Sequence, residues 1–100
     1  MNINFEYDKV SASERLEALA TEKINKLVSK YDFIVRADVY FEAENTSNDQ
    51  TGRKTKIQLS APGPRLFAEE SKEKFEISLA EVINQLDRQL QKRKAKMKTH

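Results

Sequence analysis

Cysteine is absent from this 100-residue chain, which removes disulfide frameworks, thiolate metal sites and cysteine nucleophiles. The one histidine is His100, the last residue, so imidazole acid–base chemistry or metal ligation would have to operate from a chain end. Gly52 and Gly63 are the only glycines, too few and too far apart for a phosphate-cradling loop. No apolar run approaches the ~20 residues that cross a bilayer. The start, Met1-Asn2-Ile3-Asn4-Phe5-Glu6, lacks the basic and apolar stretches of a secretory signal. Glu42 with Glu44, and Glu69 with Glu70, are carboxylates close in sequence, but nothing in their surroundings suggests a cleft that would raise one pKa. These absences lead to the expectation of a cytoplasmic protein that is not an enzyme. No cofactor, metal site, membrane contact or small-molecule substrate is expected.

What is present is 38% apolar and 34% charged residues, enough for one two-layer core in a single domain spanning residues 1–100. Asn2–Tyr7 alternates, with Ile3, Phe5 and Tyr7 on one side, as in a half-buried strand. Ser11, with Glu14 three residues on, fits a capping box. Leu16, Leu19, Ala20, Ile24, Leu27, Val28 and Tyr31 then recur at helical steps, in a helix ending near Lys30. From Phe33 to Glu44 the period becomes two: Val35, Ala37, Val39, Phe41 and Ala43 face one way, and Ile34, Arg36, Asp38, Tyr40, Glu42 and Glu44 the other. A polar loop over 45–52 leads to a strand with Thr55, Ile57, Leu59 and Ala61 inward. The chain reverses at Ala61-Pro62-Gly63-Pro64, and Leu66 and Ala68 continue the inner face with Phe67 and Glu69 outside. Ser71 is the expected N-cap of a last helix striped by Phe75, Leu79, Val82, Ile83, Leu86 and Leu90. The order β-α-β-β-β-α predicts an α+β two-layer sandwich, a four-stranded mixed sheet with both helices on one face.

Charge is unevenly distributed along this scaffold. Residues 1–80 hold 12 Lys/Arg against 14 Asp/Glu, whereas residues 81–100 hold six against two. The basic helix end 88–98 contains Arg88, Lys92, Arg93, Lys94, Lys96 and Lys98 and no acid. A cationic end on a nearly neutral body is the footprint of a polyanion partner. Arg88, Lys92 and Lys96 form an i, i+4 row that flanks the apolar stripe and is expected near the groove with the neighbouring helix. Lys23, Lys26 and Lys30 occupy the corresponding flank of the first helix. Two such edges would converge into a strip for phosphates. The competing view is that these lysines lie over the core edge and pair with acids such as Glu22. A second candidate surface is the open sheet face, where Ile34, Tyr40 and Phe67 stand among mixed charges and would suit a protein partner.

Over its whole length the sequence resembles the ribosome hibernation promoting factor, or ribosome-associated inhibitor (sigma-54 modulation protein), family. The likeness is strongest in Leu86-Asp87-Arg88-Gln89-Leu90-Gln91-Lys92-Arg93-Lys94-Ala95-Lys96-Met97-Lys98, and extends to Leu16, Lys23, Lys26, Leu27 and Tyr31-Asp32. Glu76 and Ala80 depart from the family pattern at the start of the last helix. The resemblance implies a fold similar to double-stranded-RNA-binding domains. It also implies binding of the small ribosomal subunit and its ribosomal RNA in the mRNA/tRNA channel, so that translation stops and idle ribosomes are preserved in stationary phase or stress. Carried over by position, Lys23, Lys26, Lys30, Arg88, Lys92, Arg93, Lys94 and Lys96 are the implied rRNA contacts. The sequence ends without the second domain of long members, and so resembles the short form, expected to be a monomer when free. The alternative function is a transcription modulator acting through the open sheet face.

Overall fold

The computed structural model describes residues 1–97; Lys98 of the basic end and His100 lie outside the described residues. The elements are β1 (Asn2–Asp8), α1 (Glu14–Lys30), β2 (Arg36–Ala43), β3 (Arg53–Ser60), β4 (Leu66–Lys72) and α2 (Phe75–Met97). They form one sheet in the order β1-β2-β3-β4. β1 runs parallel to β2 across the α1 crossover, and the remaining neighbours are antiparallel. The expected mixed sheet is therefore present.

Alternation places one residue in two beneath the helices. The register sets Phe5 beside Val39 and Tyr7 beside Phe41, then Val39 opposite Ile57 and Ile57 opposite Ala68. Leu16, Ala20, Ile24 and Leu27 of α1, with Phe75, Leu79, Val82, Leu86 and Leu90 of α2, close the other side of this core. Phe41 lies at its centre, its ring 5.5 Å from Phe75 and 5.8 Å from Tyr7. The one buried polar pair is satisfied internally: Ser78 Oγ donates to the Phe75 carbonyl and lies 2.8 Å from Thr55 Oγ1, which serves as its donor.

Several element ends differ from the sequence reading. The N-cap of α1 is Ser13, not Ser11; its Oγ accepts from the Leu16 amide, and its own amide donates to the Tyr7 hydroxyl. That hydroxyl also donates to Glu17 at 2.6 Å, so β1 and the start of α1 are tied through one side chain. Ser71 caps no helix. It lies in β4, where its hydroxyl donates to Glu44 at 2.6 Å and accepts from Gly52 N–H at 2.8 Å, fixing the β2–β3 loop. Gly52 holds φ +110°, a left-handed conformation that disfavours other residues.

Ile34 is the larger correction. It was expected on the open sheet face, but is only 6% exposed, whereas Val35, expected inward, is 64% exposed. The strand begins at Arg36. Ile34 belongs to the turn leaving α1, closed by its amide on the Tyr31 carbonyl, so the two-residue parity does not extend back to it.

Candidate nucleic-acid interface

The two helices run in the same direction. Arg15 in the first turn of α1 pairs with Glu76 in the first turn of α2, and Lys30 in the last turn of α1 pairs with Asp87. Both C-termini therefore meet at one end of the molecule, where helix dipoles are negative and cations are favoured. α2 has 23 residues, ~34 Å at ~1.5 Å per residue, and the molecule is 50 Å long by 24 and 19 Å across. Lys92, Lys96 and Met97 in its last turns are exposed.

Between the helices lies a shallow groove of about 250 Å³, with Lys23, Lys26 and Lys30 along α1, Ile83 and Asp87 along α2, and Leu27 also lining it. Asp87 gathers this region. Its carboxylate accepts from Lys30 Nζ at 2.8 Å and from the Tyr31 hydroxyl. The hydrogen bond from Lys30, then that from Tyr31, holds the Asp87 carboxyl below its ordinary range. The same bond raises Lys30, and burial followed by the Asp87 contact raises the Tyr31 hydroxyl. Two ammonium groups face the Tyr31 ring, Lys30 at 5.4 Å and Lys94 at 5.7 Å from its centroid. Lys94 also donates to the Lys30 carbonyl at 3.3 Å, covering the end of α1.

A depressed folded-state pKa makes Asp87 stabilising above the unfolded aspartate value of about 3.9, and this contribution disappears as pH falls through the lower folded value. Asp87→Asn is expected to lower stability at neutral pH and to flatten the loss of stability on acidification below about pH 4. Urea melts of both proteins between about pH 2 and 7 measure this. Equal pH slopes would remove Asp87 from the fold's acid response.

The expected single strip is divided. Ile83, Asp87 and Lys94 mark the α1 side of α2. Gln85, Gln89 and Arg93 mark the opposite flank, where they bond Glu70, the Phe67 carbonyl and the turn at Pro62–Pro64. At about 100° per residue, Arg88, Lys92 and Lys96 fall on the outer side of this second flank, away from α1. The row therefore does not line the inter-helix groove. Both basic groups nevertheless belong to the half of the molecule where the helices end.

Individual side chains differ in what they offer. Arg93 donates to the Pro62 and Pro64 carbonyls at 2.7 and 2.8 Å, bracing the end of α2 against the turn. Gly63 in this turn holds φ +95°, which disfavours other residues, and a Cβ there would also crowd the Arg93 guanidinium at 3.1 Å. Lys30 and Lys94 are similarly engaged with the fold. Arg88, Lys92 and Lys23 have no ion pair among the described residues, and Lys26 has only an exposed 3.7 Å contact with Glu22. Tyr31 and Asp87, which organise the region, were missed as site residues. The available signal was that Asp87 is the sole acid after Glu81.

The open sheet face carries Tyr40, with Lys56 Nζ 5.5 Å from its ring centroid, and Phe67, which is 46% exposed. Lys54 bridges Glu44 and Glu69 there at 3.5 and 3.3 Å. Among the described residues there is no group of three or more His, Asp or Glu arranged to hold a metal, and no helix long and apolar enough to cross a membrane.

Comparison with known proteins adds a family. The family described as sigma 54 modulation protein / S30EA ribosomal protein matches residues 3–98. A ribosomal subunit interface protein from Coxiella burnetii is similar in structure, with a TM-score of 0.79 at 21% identity over 95% of this chain and 99% of that one. The N-terminal domain of Thermus thermophilus Protein Y gives 0.76 at 17% identity over 92% and 98% of the two chains. At these identities the two structures support the shared fold. The search of curated proteins returned no match.

Proposed function

Because the chain belongs to the sigma 54 modulation protein / S30EA ribosomal protein family, we propose that it binds the small ribosomal subunit in the cytoplasm through the end where its two helices terminate. The observation that carries this reading is the basic set of half-buried Lys23 and exposed Lys26, Arg88 and Lys92, presented by two helices whose ends are braced by the Lys30–Asp87 and Arg93–Pro62 contacts. Cations on a rigid frame recognise phosphate geometry without paying again for their ordering. Inhibition is steric: the bound protein fills the mRNA/tRNA channel, stops translation without chemistry and preserves idle ribosomes in stationary phase or stress. The names of the two similar structures, a ribosomal subunit interface protein and Protein Y, agree with this assignment.

The test is co-sedimentation with purified small subunits in the presence of increasing mRNA and initiator tRNA. The protein is expected to pellet with the subunit and to be displaced by these ligands. Binding undisturbed by both would place it outside the channel, and no binding at all would overturn the reading. The sheet-face alternative has lost part of its motive, because Ile34 is in the core and leaves Tyr40 and Phe67 without their third apolar neighbour.

A further inference from the structure

The groove between the helices holds more than a phosphate backbone requires. Its lysines, Lys23, Lys26 and Lys30, all stand on the α1 wall, whereas α2 contributes Ile83 and Asp87, and buried Leu27 completes the lining. A phosphate gains nothing from an apolar surface and is repelled by a carboxylate. Asp87 is the one acid among the residues that line the groove. Its Oδ1 accepts from Tyr31 and its Oδ2 from Lys30, which uses two of the roughly four acceptor positions of an ionised carboxylate. Cations, an aliphatic surface and an acceptor with capacity to spare match the three parts of a nucleotide: phosphate, ring face and amino group. The volume, about 250 Å³, lies below the roughly 300–1,000 Å³ that hold a drug-sized ligand. It suits one base and excludes a segment of double helix.

We propose that this groove receives one unpaired, amino-bearing base of the small subunit's RNA, an inference that rests on the docking described above. The base sets a face on Ile83 and Leu27, its exocyclic amino group donates to Asp87, and its flanking phosphates meet Lys23 and Lys26. Uracil carries an oxygen where cytosine carries the amino group, and would turn a carbonyl toward the carboxylate. The Arg15–Glu76 and Lys30–Asp87 ion pairs tie the two walls together, so the groove is formed before RNA arrives. Tyr31 is not the platform, because it is buried and its ring is faced by Lys30 and Lys94.

Methyl NMR of the full chain reads a stacked base directly, since the ring current displaces signals of methyl groups beneath it. Titration with a cytidine hexamer to about 1 mM is expected to move the Ile83 methyl signals. Inorganic tripolyphosphate should move lysine signals alone. The cytidine hexamer should bind roughly five- to thirty-fold more tightly than a uridine hexamer. Ile83→Ala, shown to be folded by a thermal melt, should weaken binding to purified small subunits by roughly the same factor. Its salt dependence should match the wild type, because no phosphate contact is lost, whereas Lys23→Gln should make the slope shallower by about 0.7–0.9. Ile83 signals unmoved by the cytidine hexamer, or moved equally by tripolyphosphate, would overturn the proposal, as would equal affinity for the two hexamers. Wild-type affinity for subunits in Ile83→Ala would also overturn it while leaving the docking intact; a wild-type protein that ignores the subunit would remove both.

Discussion

Arg88→Glu combined with Lys92→Glu is expected to weaken binding to small subunits by roughly 10²–10⁴-fold, since each charged hydrogen bond lost is worth about 1.5–3 kcal/mol. The two side chains are one turn apart on the exposed flank of α2 and have no ion pair among the described residues. Their replacement removes no packing, so stability should change by only about 0.5 kcal/mol, apart from a small penalty for acid near a helix C-terminus. Arg93→Glu would be a poorer experiment, because that guanidinium supports the Pro62–Pro64 turn and its loss mixes folding with binding. Filter binding or co-sedimentation, beside a thermal melt, separates the two. Wild-type affinity in the double variant would exclude the outer flank of α2 from the contact.

Phe41→Ala should have the largest effect on folding. Phe41 is 0% exposed, and its ring lies 6.5 Å from Phe5 and 5.5 Å from Phe75. It therefore joins β1, β2 and the start of α2. Truncation removes the transfer free energy of the ring and leaves a cavity, a loss of about 3–5 kcal/mol. A domain of this size has only about 5–15 kcal/mol in total, so Tm should fall by roughly 15–30 °C. Calorimetry reads this directly; a drop of under about 5 °C would mean the core is centred elsewhere.

The sequence was most legible where one period ran unbroken. The apolar stripes of α1 and α2 and the alternation from Arg36 onward specified four strands, two helices and the face they share. Legibility ended where local pattern meets tertiary geometry. Ile34 continued the alternation of β2 on paper, yet the turn out of α1 directs it into the core. Ser71 had the composition of a cap, but the strand pairing of β4 extends through it. For the candidate site, helical spacing revealed the Arg88–Lys92–Lys96 row and could not reveal which flank faces α1, because that depends on where the neighbouring helix lies. Nor does any local pattern show that Arg93 and Lys94 reach back to carbonyls 29 and 64 residues away.

Affinity for purified small subunits as a function of salt measures the docking most directly. Four cations, half-buried Lys23 with exposed Lys26, Arg88 and Lys92, each neutralising one phosphate, give a slope of log K against log salt near −3, at about 0.7–0.9 per contact. The Arg88→Glu, Lys92→Glu protein should show about half that steepness. A wild-type affinity that holds steady as salt rises would contradict docking on the RNA backbone.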